Sequence, residues 1–115
     1  MLIYRISILA WVVALAGCSS SPVVTITNHS PVALTNVVVS GSGFSERIES
    51  IAAGAEHRVT VRPRGESGLR VAFDAGSQHI DVDDLAYIEA SGGYGVAVTV
   101  QSDLKVSVSL DLRGY

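Results

Sequence analysis

The chain of 115 residues holds one cysteine, one tryptophan and three prolines, and aromatic residues make up only 6% of it. A single cysteine cannot form an internal disulfide, so no covalent staple is available and the fold must rest on its core. No segment shows the apolar period of a helix, which argues against a helical domain. The apolar run Ile6–Leu15 falls short of the roughly 20 residues that a bilayer-spanning helix needs. Basic residues are outnumbered, 8 Lys and Arg against 11 Asp and Glu, for a net charge of −3. That balance gives no general attraction to nucleic acid. Catalytic motifs are missing as well. Gly41-Ser42-Gly43 is followed by no lysine and opens no readable helix, so it is not a phosphate loop. Gly65-Glu66-Ser67-Gly68 lacks the Gly-x-Ser-x-Gly spacing of a nucleophile elbow. No residues assemble a catalytic triad, and neither an enzymatic activity nor a cofactor is expected.

What is present begins at the N-terminus. Met1 to Arg5 carries one positive charge, and Ile6 to Leu15 (ISILAWVVAL) carries one polar residue, Ser7. This fits the charged and apolar regions of a secretory signal, which small residues follow at the cut. The chain then divides into a signal peptide (1–17), a short linker (18–22) and one domain (23–115).

The residues at the cut are Leu15-Ala16-Gly17-Cys18, and they resemble the lipobox of bacterial lipoproteins. The resemblance implies that the Cys18 thiol is joined to a diacylglyceryl group and that the bond between Gly17 and Cys18 is cut. It further implies that the new amino terminus is acylated. Ser19 stands where an aspartate favours retention in the inner membrane, so the resemblance points to the outer membrane, with the domain in the periplasm or at the cell surface. Each buried methylene contributes about 0.8 kcal/mol and one acyl chain alone binds only marginally, whereas two or three make release negligible. Lipidation would also use up the only thiol. Removing 17 of 115 residues leaves 98, with 7 basic and 11 acidic residues and a net charge of −4. The only tryptophan, Trp11, leaves with the signal.

From Val23 onward the apolar period is two. Val59 and Val61, Leu69, Val71 and Phe73, Val96, Val98 and Val100, and Val106, Val108, Leu110 and Leu112 each alternate with smaller or polar residues. This is strand patterning with one wet face, rich in β-branched residues. Turn signals separate the runs at Asn28-His29-Ser30-Pro31, Gly41-Ser42-Gly43, Ala53-Gly54, Pro63 to Glu66, Gly76-Ser77 and Ser91 to Gly93. About seven or eight strands are predicted, at 23–28, 34–40, 44–49, 56–62, 68–74, 78–82, 94–101 and 105–112. Asp84 to Glu89 reads as a short strand or one helical turn. The expected class is all-β, an antiparallel β-sandwich. An outer-membrane barrel is disfavoured, because counting back by twos from Tyr115 reaches Arg113, Asp111 and Ser109 rather than an apolar band.

The stretch VTITNHSPVALTNVVVSGSGF followed by IESIAAGAEHRVTVRP resembles the immunoglobulin-like modules of bacterial surface and periplasmic proteins, including the CARDB type. The resemblance covers about Val23 to Pro63 and implies an immunoglobulin-like sandwich serving as a spacer or binding platform. The Cys-Trp-Cys core of antibody domains is missing.

Few side chains point to chemistry. His29 lies in a turn, and His57 shares the inward parity of Val59 and Val61. His79 and Asp81 sit at i, i+2 and so share a strand face. Together with Asp83 and Asp84 they are the metal candidates, although a metal site needs three or four ligands and the spacing is not that of an EF-hand. If strands 56–62 and 68–74 form a hairpin, Arg58, Arg62 and Arg70 point to one face as a basic stripe for an anionic partner. Asn28-His29-Ser30 matches a glycosylation acceptor, but that signal is usually silent in a bacterium. The expected partners are a membrane, through Cys18, and an envelope protein, met by a monomeric domain.

Overall fold

Alternating valines and isoleucines bury one side of each strand, and two such faces close on each other. The computed structural model describes residues 21–91, 93 and 95–111. Ten strands lie among them: β1 (Val23–Asn28), β2 (Leu34–Gly41), β3 (Phe44–Ile51), β4 (Glu56–Thr60), β5 (Glu66–Gly68), β6 (Arg70–Ala75), β7 (Gln78–Val82), β8 (Tyr87–Glu89), β9 (Gly95–Val100) and β10 (Val106–Asp111). No helix occurs among the described residues. One four-stranded sheet has the order β10-β9-β1-β4, another the order β3-β2-β6-β7, and β5 and β8 form a small third sheet. The class is therefore all-β, a sandwich of two sheets.

The core joins both inner faces. Val24, Ile26, Val96, Val98 and Val100 come from the first sheet, and Leu34, Val37, Val39, Ile48, Val71 and Phe73 from the second, all buried in one cluster. Leu69 and Ile88, next to and within the small sheet, belong to the same cluster. Each such side chain contributes about 1.5–3 kcal/mol on leaving water.

The strand pairs are antiparallel with one exception. β1 runs parallel to β9, from Val23 beside Gly95 to Asn28 beside Val100, and antiparallel to β4 on its other side. The first strand of the domain thus lies in the middle of its sheet. A parallel pair needs a long crossover, and here everything from β2 to β8 serves as that connection.

Several boundaries differ from the sequence pattern. The expected strand 68–74 is interrupted at Leu69, which separates β5 from β6. Tyr87–Glu89 is a strand, β8, paired with β5. In β2 the alternation itself breaks, because Leu34, Val37 and Val39 all face inward. Asn36 adopts a φ of 49°, and the register of β2 on β6 shifts between Thr35 and Val38. This is a β-bulge, one extra residue that turns the strand by one position. His57, for all its inward parity, is exposed, since β4 is the outermost strand of its sheet. Gly41 is required by close approach: a Cβ there would lie 2.5 Å from Ser67 Oγ and 2.7 Å from the Gly68 carbonyl.

At the end of β1 a polar side chain takes an inward position. Asn28 follows Val24 and Ile26 in parity and is fully buried. Its Nδ2 donates to the carbonyls of Val32 at 2.8 Å and Ile51 at 3.1 Å. Its Oδ1 accepts from the Ser30 N–H at 2.9 Å and lies 2.7 Å from Ser30 Oγ. Its backbone N–H donates to Ala55 O at 2.9 Å, and its carbonyl accepts from Gly54 N–H at 2.7 Å. One residue thereby fixes the 28–33 turn and the 51–55 turn. The amide is fully engaged and inaccessible as a glycosylation acceptor.

Two substitutions test this account. Val98→Asp places an unpartnered charge between the sheets and is expected to cost at least about 3 kcal/mol in denaturant unfolding. An unchanged unfolding midpoint would show that β9 does not face inward as described. Asn28→Ala removes the amide donors to the Val32 and Ile51 carbonyls and the acceptor of the Ser30 N–H, and is expected to cost roughly 3 kcal/mol.

Candidate functional site

The outward face of the sheet β3-β2-β6-β7 carries the densest polar arrangement on the described surface. Its strands alternate, so Arg47 on β3, Asn36 on β2, Arg70 and Asp74 on β6, and His79 and Asp81 on β7 all stand on the side away from the core. Register brings them together, with Asp74 paired to His79 and Ala72 to Asp81.

Two groups result. In the first, Arg47 Nη2 donates to Asn36 Oδ1 at 2.5 Å, and Asn36 Nδ2 donates to Asp74 Oδ2 at 3.0 Å. His79 Nδ1 lies 2.7 Å from the other oxygen, Asp74 Oδ1. In the second, Arg70 grips Asp81 with both prongs of its guanidinium, Nε to Oδ1 at 2.8 Å and Nη2 to Oδ2 at 2.6 Å. The bidentate geometry matches the planar fork to the carboxylate. The hydrogen bond with His79, and then that from Asn36, holds the Asp74 carboxyl below its ordinary range. The hydrogen bond from Arg70 does the same for Asp81, and Asp81 in turn raises Arg70. All these groups are exposed, so each pair contributes modestly and is weakened by salt.

The candidates read from the sequence land as follows. His79 and Asp81 do share one face of β7, but they turn to different partners, Asp74 and Arg70. Asp83 and Asp84 lie beyond the end of β7, and Asp83 Oδ1 accepts the Asp84 N–H at 2.8 Å. Among the described residues no group of three or more His, Cys, Asp or Glu side chains could hold a metal ion. The four metal candidates thus do not converge.

The arginine stripe is not assembled either. It required β4 and β6 to form a hairpin, but β4 pairs with β1 in one sheet and β6 with β2 and β7 in the other. Arg58 lies on the first sheet's edge strand β4, Arg62 lies two residues beyond its end, and Arg70 lies in the second sheet, engaged with Asp81. After β4 the chain passes through β5 of the small third sheet before β6 enters the second, where a tight turn would have kept it in the first. Arg58 instead helps line a shallow concavity of about 580 Å³ on the outer face of the first sheet, with Ser21, Val23, Thr25, Thr27, Glu56 and Ala97 among the other lining residues. Arg62 Nη1 lies 3.4 Å from Ser21 Oγ, beside the entry to β1. Gly17 and Cys18 lie outside the described residues.

Sequence reading missed Asn36, Asp74 and Arg47. Their outward parity was legible for Asp74, which alternates with Phe73. Asn36 reaches the face through the bulge, which no pattern announced.

Because the carboxyls of Asp74 and Asp81 are held below their ordinary values, their stabilisation is present above about pH 4, where unfolded carboxylates ionise. It is lost as pH falls through the lower folded values. Thermal unfolding from pH 7 to pH 2 is expected to show a falling acid limb, and Asp81→Asn should flatten part of it by lowering stability modestly at neutral pH while converging on the wild type in acid. An identical acid limb in the variant would remove Asp81 from the account.

No family model matches the chain, and no curated protein matches it. A solution NMR structure of a protein from Eubacterium rectale is similar in fold, with a TM-score of 0.57 and 10% identity, covering 79% of this chain and 88% of that one. At that identity the likeness speaks for the two-sheet architecture alone.

Proposed function

We propose that this protein is a lipid-anchored envelope lipoprotein whose sandwich domain acts as a non-enzymatic structural or protein-binding module. The observation that carries it is Leu15-Ala16-Gly17-Cys18 behind an apolar run of signal length. On this reading the chain is cut before Cys18, the thiol carries a diacylglyceryl group, and Ser19 directs the protein to the outer membrane. β1 begins at Val23, so only residues 19–22 separate the anchored residue from the first strand. A linker that short keeps the domain beside its membrane and raises the effective concentration of anything bound there. The sandwich is of the immunoglobulin-like kind on this reading, supported by its two four-stranded sheets around one core. The polar outer face of β3-β2-β6-β7, held by ion pairs and hydrogen bonds, suits a module that works through a partner.

The anchor is directly testable. Cys18→Ala is expected to abolish incorporation of labelled fatty acid and to leave the precursor uncut. If the wild type takes up no label, or if the variant is still processed between residues 17 and 18, the lipoprotein reading fails.

A further inference from the structure

Four strands form the lateral edges of the two main sheets: β4 and β10 in one, β3 and β7 in the other. An edge strand offers unpaired backbone groups to any extended chain, and proteins commonly guard such edges with charge. Three of these edges are guarded in that way. β4 carries Glu56, His57 and Arg58; β3 carries Glu46, Arg47 and Glu49; β7 carries His79 and Asp81. β10 differs. From Val106 to Leu110 it reads Val-Ser-Val-Ser-Leu, and its one charged residue is the last, Asp111.

The unguarded edge also leaves apolar surface uncovered. Val106 and Val108 are only half-buried, and Leu110 is 51% exposed. These three share the inward parity, while Ser107 and Ser109 face outward, opposite Thr99 and Ala97 on β9. Backbone direction follows from the hairpin that closes the pair. Gln101 N–H donates to Lys105 O at 2.8 Å. By the alternation of an antiparallel ladder, Ser107 and Ser109 direct their N–H and C=O groups to β9. Val106, Val108 and Leu110 then direct theirs to the open side.

We propose that β10 pairs with β10 of a second copy of this chain, antiparallel and centred on Val108. This dimer replaces the monomer expected from the sequence. The register is set by the backbone, because only the residues at 106, 108 and 110 present free groups, and Val108 opposite Val108 matches all of them. Val106 then lies opposite Leu110 of the second copy, so the apolar row of each chain continues the core of the other. Ser107 meets Ser109, and no like charges face each other. The contact is isologous and uses up the free edge of each β10, so the association closes at two chains. That self-complementarity selects a second copy over an unrelated strand.

The test is sedimentation equilibrium of the full chain in density-matched non-ionic detergent with micelles in excess. The wild type is expected to be a dimer. Val108→Pro removes an N–H that only the second copy uses, and proline is tolerated on an edge strand in that position. This variant is expected to be monomeric with an unchanged β circular-dichroism spectrum. A wild type that stays monomeric up to millimolar concentration overturns the proposal. So does a dimer that persists in Val108→Pro.

Discussion

The position of β1 is the constraint on which the rest of the structure depends. This strand lies between β9 and β4, so both of its backbone edges are used and one side of it is wholly buried. It cannot join the sheet until the end of the chain has supplied β9, since the two run parallel and the 66 residues from 29 to 94 separate them in the sequence. Non-local pairing of this kind is slow to form, because loop closure costs entropy before the contact rewards it. Asn28 secures the far end. Its amide is buried with four polar neighbours, and its backbone is tied to the 51–55 turn. A buried polar group is costly unless fully partnered. Here the partners exist only when β1, the 28–33 turn and the end of β3 are all in place, so the residue ties three segments to one arrangement.

The two outer faces follow from the same alternation but differ in chemistry. On β3-β2-β6-β7 the outward residues are long and charged, and they saturate one another: Arg47, Asn36, Asp74 and His79 in one chain of contacts, Arg70 and Asp81 in another. On β10-β9-β1-β4 the outward residues of the inner strands are small, among them Thr25, Thr27 and Ala97, and a shallow concavity results. Charge on the first face is internally balanced. This accounts for why its histidine and aspartates do not act together as ligands: each has been claimed by a neighbour whose identity depends on strand order.

Much of the fold was legible before any coordinates. The period of two named nearly every strand, and seven of the ten begin within one residue of the expected position. Boundaries failed where side-chain demands broke the alternation. Leu69 interrupts the strand expected at 68–74 because it is buried between two strands of different sheets. In β2, residues 34 and 37 both face inward because Asn36 takes a left-handed conformation. A run of Leu-Thr-Asn-Val-Val-Val fits either register, and only packing against β6 decides.

By itself the sequence determined the class of structure: strand periodicity, turn positions, one core without disulfides and a short link from Cys18 to the first strand. These are local properties, set by the spacing of apolar residues and the chemistry of turns. Strand order was decided by the tertiary structure alone. Whether the segment after β4 folds back beside it or crosses to the other sheet is not written in any short stretch. It depends on which faces bury the most apolar surface when all ten strands compete. That choice separated Arg58 and Arg62 from Arg70, joined Arg70 to Asp81, placed the first strand in the middle of its sheet and left β10 at an edge.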